Sequence, residues 1–209
     1  MQSDIYPSIR EFIEDLDQNE LVDLRREMLQ PVIDYGISKL REGRPMNLNY
    51  ICTHNSRRSQ FTQIWAACIS SYYGLTGVNC YSGGTEATAL YGMVSEVLKQ
   101  CGFRLNQMGA GNNPIYFVKF SHTRPPSVVF SKEHGNFYNP ESGFAAVMVC
   151  SDADTNCPNA PGADRRFYLP YKDPGDYDTT EIQAEKYREC SQIIATEMKY
   201  LFSSIKNAY

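Results

Sequence analysis

Long apolar runs, a strong excess of charge of either sign and repeated or low-complexity segments are all missing from this 209-residue chain. No apolar stretch approaches the roughly 20 residues that a membrane-spanning helix needs, so we expect no membrane partner. The amino terminus has neither the basic start nor the apolar run of a signal peptide, and we therefore expect a cytoplasmic protein. A formal net charge of -4 argues against a general nucleic-acid partner.

The composition that is present suits a single enzyme-sized domain. A length of 209 residues and a hydrophobic content of 42% are enough for one α/β domain with elaborations and a sizeable core. Seven cysteines in a cytoplasmic chain are more typical of catalytic, redox-active or buried thiols than of a structural disulfide framework.

Residues 46 to 66, MNLNYICTHNSRRSQFTQIWA, combine a strand pattern, a polar loop and a helix pattern in immediate succession. Apolar residues lead to Ile51 as in a buried strand, and from Ser59 onward they recur at helical spacing. Five residues separate Cys52 from Arg58 in the loop between them. A loop of that length can turn its N–H groups toward one point, where the positive end of the following helix adds to them. The segment predicts a binding site for a tetrahedral oxyanion.

The two ends of this loop carry the groups that would make such a site reactive. Backbone amides, the helix dipole and the Arg58 guanidinium all favour the thiolate form of Cys52, which is the nucleophilic form. Arg58 can hold two oxyanion oxygens with its planar fork. Ser59 could donate a hydrogen bond to the sulfur, and Asn55 could brace the loop. The predicted oxyanion-binding residues are Thr53, His54, Asn55, Ser56, Arg57, Arg58 and Ser59.

A simpler interpretation of this spacing is a buried strand-end cysteine beside two surface arginines. For a cysteine and an arginine at this separation alone, that interpretation is preferable. The strand before the loop, the helix after it and the Ser-Arg-Arg-Ser composition favour the catalytic one.

Strand and helix patterns alternate along most of the chain, which predicts a parallel sheet with right-handed crossovers. Residues 1–45 contain two helical stripes and form a predicted N-terminal helical extension, with Pro31 expected to kink or divide the second helix. Residues 46–209 form the main domain, in which 103–143 predict an inserted hairpin-like segment. We therefore predict an α/β fold with a flavodoxin-like, doubly wound parallel sheet of about four strands, with ligands bound at the carboxyl ends of the strands.

A second cysteine-bearing segment follows the most apolar strand pattern of the chain. Residues 144–149 read FAAVMV and lead directly to Cys150, and a polar stretch then runs to Cys157. Asp152 and Asp154 in this stretch could bind a cation, although solvated carboxylates or helix caps are the commoner role for such residues. Its small, polar composition is compatible with the movement that thiol exchange requires.

Three separated stretches carry a specific resemblance: CTHNSRRSQ, CSDADTNCP and the pair Asp173 and Pro174. In this order they resemble thioredoxin-coupled arsenate reductases, which share their fold with low-molecular-weight protein tyrosine phosphatases. The likeness covers roughly residues 46 to 205 without the insertion, and YSGGTEA at 81 to 87 also resembles the family. The spacing of cysteine, five residues, arginine and serine is common to both branches. The segment from Cys150 to Cys157 resembles the reductases only.

The resemblance implies a role for each matched residue. Cys52 would attack arsenic in arsenate held by the loop and Arg58, and Asp173 would act as general acid for the departing oxygen. Cys150 would then attack Cys52, which releases arsenite. Cys157 would carry the disulfide to where thioredoxin can reduce it. No cofactor is implied.

The phosphatase branch is the alternative. Cys52 would take the phosphoryl group of phosphotyrosine, and Asp173 would protonate the leaving phenol and later activate a water molecule, without help from the later cysteines. Tyr116, Phe137 and Tyr138 of the insertion could form a wall for the ring, although strands are often aromatic for other reasons. A third hypothesis is an anion-binding or redox-responsive module that recruits a partner.

Some positions depart from the family or stay ambiguous. Arg57 stands where the family often carries a smaller residue or a cysteine. Gln63 replaces a glutamate that the reductases use toward a structural potassium ion, so we predict no metal. On composition alone Asp176 and Asp178 compete with Asp173 for the acid role, and only the proline that follows Asp173 and the resemblance favour it.

Overall fold

The computed structural model describes residues 4–151, residue 153 and residues 160–209. Within these residues no helix is both long and apolar enough to cross a membrane. The elements in chain order are α1 (Pro7–Asp15), a 3₁₀ helix (Gln18–Glu20), α2 (Asp23–Arg41), β1 (Met46–Cys52), α3 (Arg58–Tyr72), β2 (Val78–Gly84), α4 (Gly92–Gln100), β3 (Arg104–Met108), β4 (Ile115–Lys119), β5 (Ser127–Val129), β6 (Phe144–Met148), β7 (Ala163–Tyr168), a 3₁₀ helix (Pro174–Tyr177) and α5 (Gln183–Ala208).

A four-stranded parallel sheet with the order β2-β1-β6-β7 forms the centre of the protein. Every residue of β6 is buried, as expected for an inner strand covered on both faces, and this explains its unbroken apolar sequence. The parallel sheet with helical crossovers confirms the predicted α/β fold and its strand number.

The insertion forms a second sheet, which is antiparallel and has the order β3-β4-β5. The two predicted extended segments are β4 and β5, and they pair as a hairpin-like unit. The sequence prediction missed β3. Its sequence RLNQM is mostly exposed at the sheet edge, so it lacks the apolar alternation that marks a half-buried strand.

The N-terminal helices pack on the main domain. Ile9 and Ile13 of α1 are fully buried in the common core. Arg25 of α2 donates two hydrogen bonds, of 2.6 and 2.7 Å, to the buried Glu197 carboxylate of α5. Helix α2 runs unbroken past Pro31, so the expectation that this proline divides the helix is wrong. Residues on both sides of Pro31 are buried, and this packing offsets the lost backbone hydrogen bond.

Three chain segments meet beyond the carboxyl ends of the central strands. Strand β1 ends at Cys52 and pairs with β6 through Ile51 and Met148. Cys150 lies two residues beyond the end of β6. After β7, the N–H of Tyr171 donates to the Val149 carbonyl at 3.0 Å, which brings the segment before Asp173 to the same edge. The topology thus gathers Cys52, Cys150 and Asp173 at the edge where doubly wound sheets bind their ligands.

Candidate active site

The loop between β1 and α3 is held from outside through its carbonyl groups. The donors are Thr85 N to Cys52 O (3.1 Å), Glu86 N to Thr53 O (3.0 Å), Ser131 Oγ to His54 O (2.8 Å), Gln60 Nε2 to Asn55 O (2.9 Å) and Tyr91 N to Ser56 O (3.2 Å). Within the described part of the chain, the N–H groups of residues 53 to 57 have no acceptor. Asn55 and Ser56 are buried, and buried backbone donors are almost always paired in native proteins, so at least these two amides are expected to bind a ligand.

Asn55 fixes the shape of the loop. It is fully buried, and its backbone lies in the left-handed region with φ 47°, which asparagine tolerates better than most residues. Its side chain donates to Ser59 Oγ at 2.8 Å and accepts from the Lys132 N–H at 3.0 Å. These contacts agree with the bracing role expected for Asn55.

Gly84 of β2 allows the loop to pack closely against the sheet. A Cβ atom at this position would lie 2.5 Å from the Thr53 carbonyl oxygen and 2.9 Å from the Asn55 nitrogen. Both neighbours are backbone atoms, which cannot move aside as a flexible side chain could. Glycine is therefore required here for the observed loop position.

Cys52 and Arg58, at the two ends of the loop, are both buried. The Cys52 side chain is 3% exposed, and its Sγ lies 3.0 Å from Ser59 Oγ. Arg58 is 8% exposed; its guanidinium donates to the Tyr171 carbonyl at 3.2 Å and pairs with the Asp173 carboxylate. The guanidinium and the candidate acid are thus in direct contact, and the nucleophile contacts Ser59, the residue that follows Arg58.

Asp173 differs from the other two acidic residues of its segment. One of its oxygens accepts from the Gly175 N–H at 2.9 Å and the other pairs with Arg58. Asp178 instead faces Tyr187, Gln183 and Arg57. Burial alone would raise the pKa of Asp178, but these hydrogen bonds outweigh it and hold that pKa below its usual value. Of the three candidates for the general acid, Asp173 forms an ion pair with Arg58.

The Arg57 side chain leaves the loop. Its Nε donates to Tyr187 Oη at 2.6 Å, and its guanidinium pairs with Asp178. The guanidinium carbon Cζ lies 4.3 Å from the centre of the Tyr91 ring. With its guanidinium engaged there, Arg57 has its backbone N–H left for the oxyanion-binding role that the sequence predicts for it. Through its pair with Asp178, the side chain fastens the loop to the segment that carries Asp173. The two pack closely, since a Cβ atom on Gly175 would lie 3.0 Å from Arg57 Nε.

We expect Arg57→Met to lower the free energy of unfolding by about 2 kcal/mol, because Asp178 and Tyr187 lose a partly buried partner. Urea unfolding at neutral pH measures this difference. Arg44→Met is the control, since Arg44 is exposed and pairs with the exposed Glu42, and we expect it to change stability by less than about 0.5 kcal/mol. Equal effects of the two substitutions would contradict the fastening role.

Cys150 lies next to the loop. It is fully buried, its Sγ is 3.6 Å from Thr53 Oγ1, and it accepts a hydrogen bond from the Ala153 N–H at 3.3 Å. Cys157, Asp152 and Asp154 lie outside the described residues. The structure therefore places one of the two predicted relay cysteines beside the nucleophile loop.

Four other cysteines have the character of core residues. Burial raises the pKa of the Cys101 thiol to about 11 and that of Cys190 to about 12, and it also raises the pKa of Cys68 and Cys80. These thiols stay protonated at neutral pH, which makes them poor nucleophiles.

Sequence analysis missed the contribution of the insertion to the loop. Ser131 and Lys132 follow β5 and hold His54 and Asn55 through hydrogen bonds. Nothing in the local sequence marks them, because the contacts join positions 77 residues apart. The exposed His54 Nε2 lies 3.1 Å from the Glu86 carboxylate.

The aromatic residues proposed as a wall for the phosphotyrosine ring contact other residues of the insertion or are exposed to solvent. Tyr138 packs on Phe130, with ring centres 5.6 Å apart, and Phe137 is 89% exposed. Tyr116 pairs with Val129 within the second sheet.

Gln63 is buried, and its Oε1 has no hydrogen-bond partner among the described residues. Gln63 donates to the Val128 carbonyl at 3.4 Å and supplies no carboxylate. Among the residues that the structure describes, no group of three or more His, Cys, Asp or Glu side chains is arranged to hold a metal.

No family model matches this chain. In sequence it is similar to the arsenate reductase of Staphylococcus aureus (strain Newman), with 26% identity over 134 residues, which are 64% of this chain and 82% of that protein. Arsenate reductase 2 of Staphylococcus haemolyticus (strain JCSC1435) is 29% identical over 134 residues with the same coverage.

In structure, the chain is similar to a low-molecular-weight phosphotyrosine phosphatase from Vibrio cholerae, with a TM-score of 0.52 and 12% identity over 76% of this chain and 94% of that one. At this identity the likeness shows the fold. In sequence and in fold together, the protein therefore resembles the arsenate reductases and low-molecular-weight tyrosine phosphatases, as its motifs indicated.

Proposed function

We propose that this protein is a thiol-dependent oxyanion enzyme that reduces arsenate to arsenite, with Cys52 as the nucleophile. The observation that carries the proposal is the second thiol, Cys150, whose sulfur is 3.6 Å from Thr53 Oγ1 of the loop. The sequence similarity to arsenate reductases supports it. A phosphatase that works through a phosphocysteine has no use for a second thiol at this place.

Arsenate binding would use the groups that the loop leaves free. The amide N–H groups of residues 53 to 57 and the Arg58 guanidinium supply donors for a dianion, and the start of α3 adds its positive end. Arg58 pairs with Asp173 in the structure. Bound arsenate would compete for that guanidinium and release the Asp173 carboxylate, which takes up the proton of the Cys52 thiol and can then act as an acid.

The first chemical step forms a bond between sulfur and arsenic. Ser59 Oγ, 3.0 Å from the sulfur, donates its hydrogen to the Cys52 thiolate and stabilises it. The thiolate attacks arsenic, and the hydroxyl group of the arsenate dianion leaves as water after taking one proton from Asp173. The product is a covalent adduct of Cys52 with arsenic still in the +5 state.

The second step transfers two electrons. The Cys150 thiolate attacks the Cys52 sulfur, the sulfur–arsenic bond breaks with its electron pair going to arsenic, and arsenite leaves. A disulfide between Cys52 and Cys150 remains. Cys157 then attacks the Cys150 sulfur, which frees the Cys52 thiolate and forms a second disulfide. Thioredoxin would reduce that disulfide, as expected for an enzyme of a reducing compartment such as the cytoplasm.

A low-molecular-weight protein tyrosine phosphatase is the second candidate. The contact between Asp173 and Arg58 at the mouth of the loop favours it, since the same acid could protonate a departing phenolate. Cys52 would accept the phosphoryl group, and Asp173 would then activate water to hydrolyse the phosphocysteine.

A side-by-side assay separates these functions. One arm follows arsenate-dependent NADPH oxidation with thioredoxin and thioredoxin reductase, and the other follows p-nitrophenol released from p-nitrophenyl phosphate. We expect turnover in the first arm and at most slow turnover in the second. Turnover in the second arm alone would establish the phosphatase. Tight arsenate binding without turnover in either arm would indicate an anion-binding module.

We expect Asp173→Asn to lower the rate of arsenate turnover about 100-fold, because the departing oxygen loses its proton donor. Arsenate binding should persist, since the carboxylate that pairs with Arg58 is removed. Steady-state rates and calorimetric titration with arsenate measure the two effects. Asp176→Asn is the matched control and should stay within about twofold of the wild-type rate. Equal losses in both variants would exclude Asp173 as the specific acid.

A further inference from the structure

Lys132 is a buried lysine that the proposed mechanism does not use. It is 2% exposed, and its Nζ lies 3.5 Å from Ser82 Oγ and 3.4 Å from the Phe130 carbonyl. The ammonium also lies 4.6 Å from the centre of the Phe130 ring and 5.5 Å from that of Tyr138. In the part of the chain that the structure describes, no carboxylate forms an ion pair with it.

Both ends of Lys132 connect to the Cys52 loop. Its backbone N–H donates to Asn55 Oδ1 at 3.0 Å, and the Asn55 side chain donates to Ser59 Oγ, which contacts the Cys52 sulfur. At the other end, the Ser82 hydroxyl that contacts the Lys132 ammonium lies 3.4 Å from Gln60 Oε1. The Gln60 amide in turn donates to the Asn55 carbonyl at 2.9 Å.

Burying an ammonium without a counterion costs free energy of folding. Buried ionisable groups with perturbed pKa values are found preferentially at functional sites. Burial lowers the pKa of Lys132 to about 8, so most molecules still carry the charge at neutral pH. Tyr138, the titratable group against it, has its pKa raised by burial and is neutral there. Since no anion close by cancels the charge, its field extends to the loop.

We propose that Lys132 is a positioning residue of the Cys52 site: its backbone N–H holds Asn55, and its buried ammonium holds Gln60 through Ser82 and favours negative charge on the Cys52 sulfur. This inference rests on the proposed function only in taking Cys52 as the nucleophile. It gives the insertion a role in the site, because Lys132 belongs to the segment that follows β5.

Alkylation of Cys52 tests the inference without any turnover. Iodoacetamide labelling of the full-length protein is followed from pH 4 to 9, and mass spectrometry quantifies the peptide that contains Cys52. We expect Lys132→Met to move the midpoint of the alkylation curve upward by about one pH unit, because losing a positive charge next to the loop makes the negative sulfur less favourable. Lys99→Met is the control, since Lys99 is exposed and pairs with Glu96, and its midpoint should match the wild type.

Urea unfolding shows whether the variants are folded. The folded-state pKa of Lys132 lies below its usual value, so the unfolded chain binds more protons between about pH 8 and 10.5, and the penalty is fully present below pH 8. Lys132→Met should therefore have a higher urea midpoint than the wild type at pH 7, with the difference shrinking as the pH rises through that window.

Lys132→Gln gives a second neutral side chain in case methionine packs poorly. An unchanged alkylation midpoint in either folded neutral variant would overturn the inference, because a packing role alone predicts no shift. A shifted midpoint in a protein that turns over neither arsenate nor aryl phosphate would support the inference and reject the proposed function. The experiment thus distinguishes a failure of the Lys132 inference from a failure of the proposed enzymatic function.

Discussion

Cys52→Ser is expected to lower the rate of arsenate turnover at least about ten-thousandfold. A serine hydroxyl is almost entirely protonated at neutral pH, and its oxygen can neither reduce arsenic nor form a disulfide. The fold should persist, because oxygen is smaller than sulfur and can keep the contact with Ser59, which lies 3.0 Å from the Cys52 sulfur. NADPH oxidation coupled to thioredoxin measures the loss, and p-nitrophenyl phosphate hydrolysis should fall in parallel.

Two comparisons make this result specific. Calorimetric titration with arsenate should give a Kd within about threefold of the wild type, since the amide groups and Arg58 remain. Cys101→Ser is the matched control, because burial keeps that thiol protonated, and its rate should stay within about twofold. If Cys52→Ser kept more than about one per cent of the wild-type rate, another residue would have to be the nucleophile.

Cys150→Ser is expected to lower multiple-turnover arsenite release at least about a thousandfold while leaving aryl phosphate hydrolysis within about twofold. Only the reductase route needs a thiol to attack the Cys52 sulfur. The first step does not involve Cys150, so a covalent adduct of arsenic with Cys52 should accumulate. Rapid acid quench followed by mass spectrometry of the intact protein detects that adduct.

Cys150→Ser is informative because it should slow arsenite release and leave aryl phosphate hydrolysis almost unchanged. Cys80→Ser serves as the control, since Cys80 has its pKa raised by burial within strand β2, and it should leave both activities near the wild-type values. Arsenite release that is as fast in Cys150→Ser as in the wild type would rule out the relay. Loss of both activities would instead show that Cys150 supports the structure of the loop.

The order of strand, loop and helix around Cys52 could be predicted because each signal is local. Alternation before Ile51 and helical spacing after Ser59 describe β1 and α3 without reference to other parts of the chain. The buried β6 was equally clear from its continuous apolar sequence. Strand β3 was not predicted, since an exposed edge strand needs no apolar pattern.

The chain sequence alone determined which reactive groups the protein possesses and that Cys52 and Arg58 stand at the two ends of one loop. Only the tertiary structure decided their surroundings: it turned the Arg57 side chain toward Asp178 and Tyr187, chose Asp173 as the partner of Arg58, and set Lys132 beneath Asn55. The physical reason is that local backbone geometry depends on neighbouring residues, whereas the partners of long polar side chains depend on which distant segments the sheet brings together.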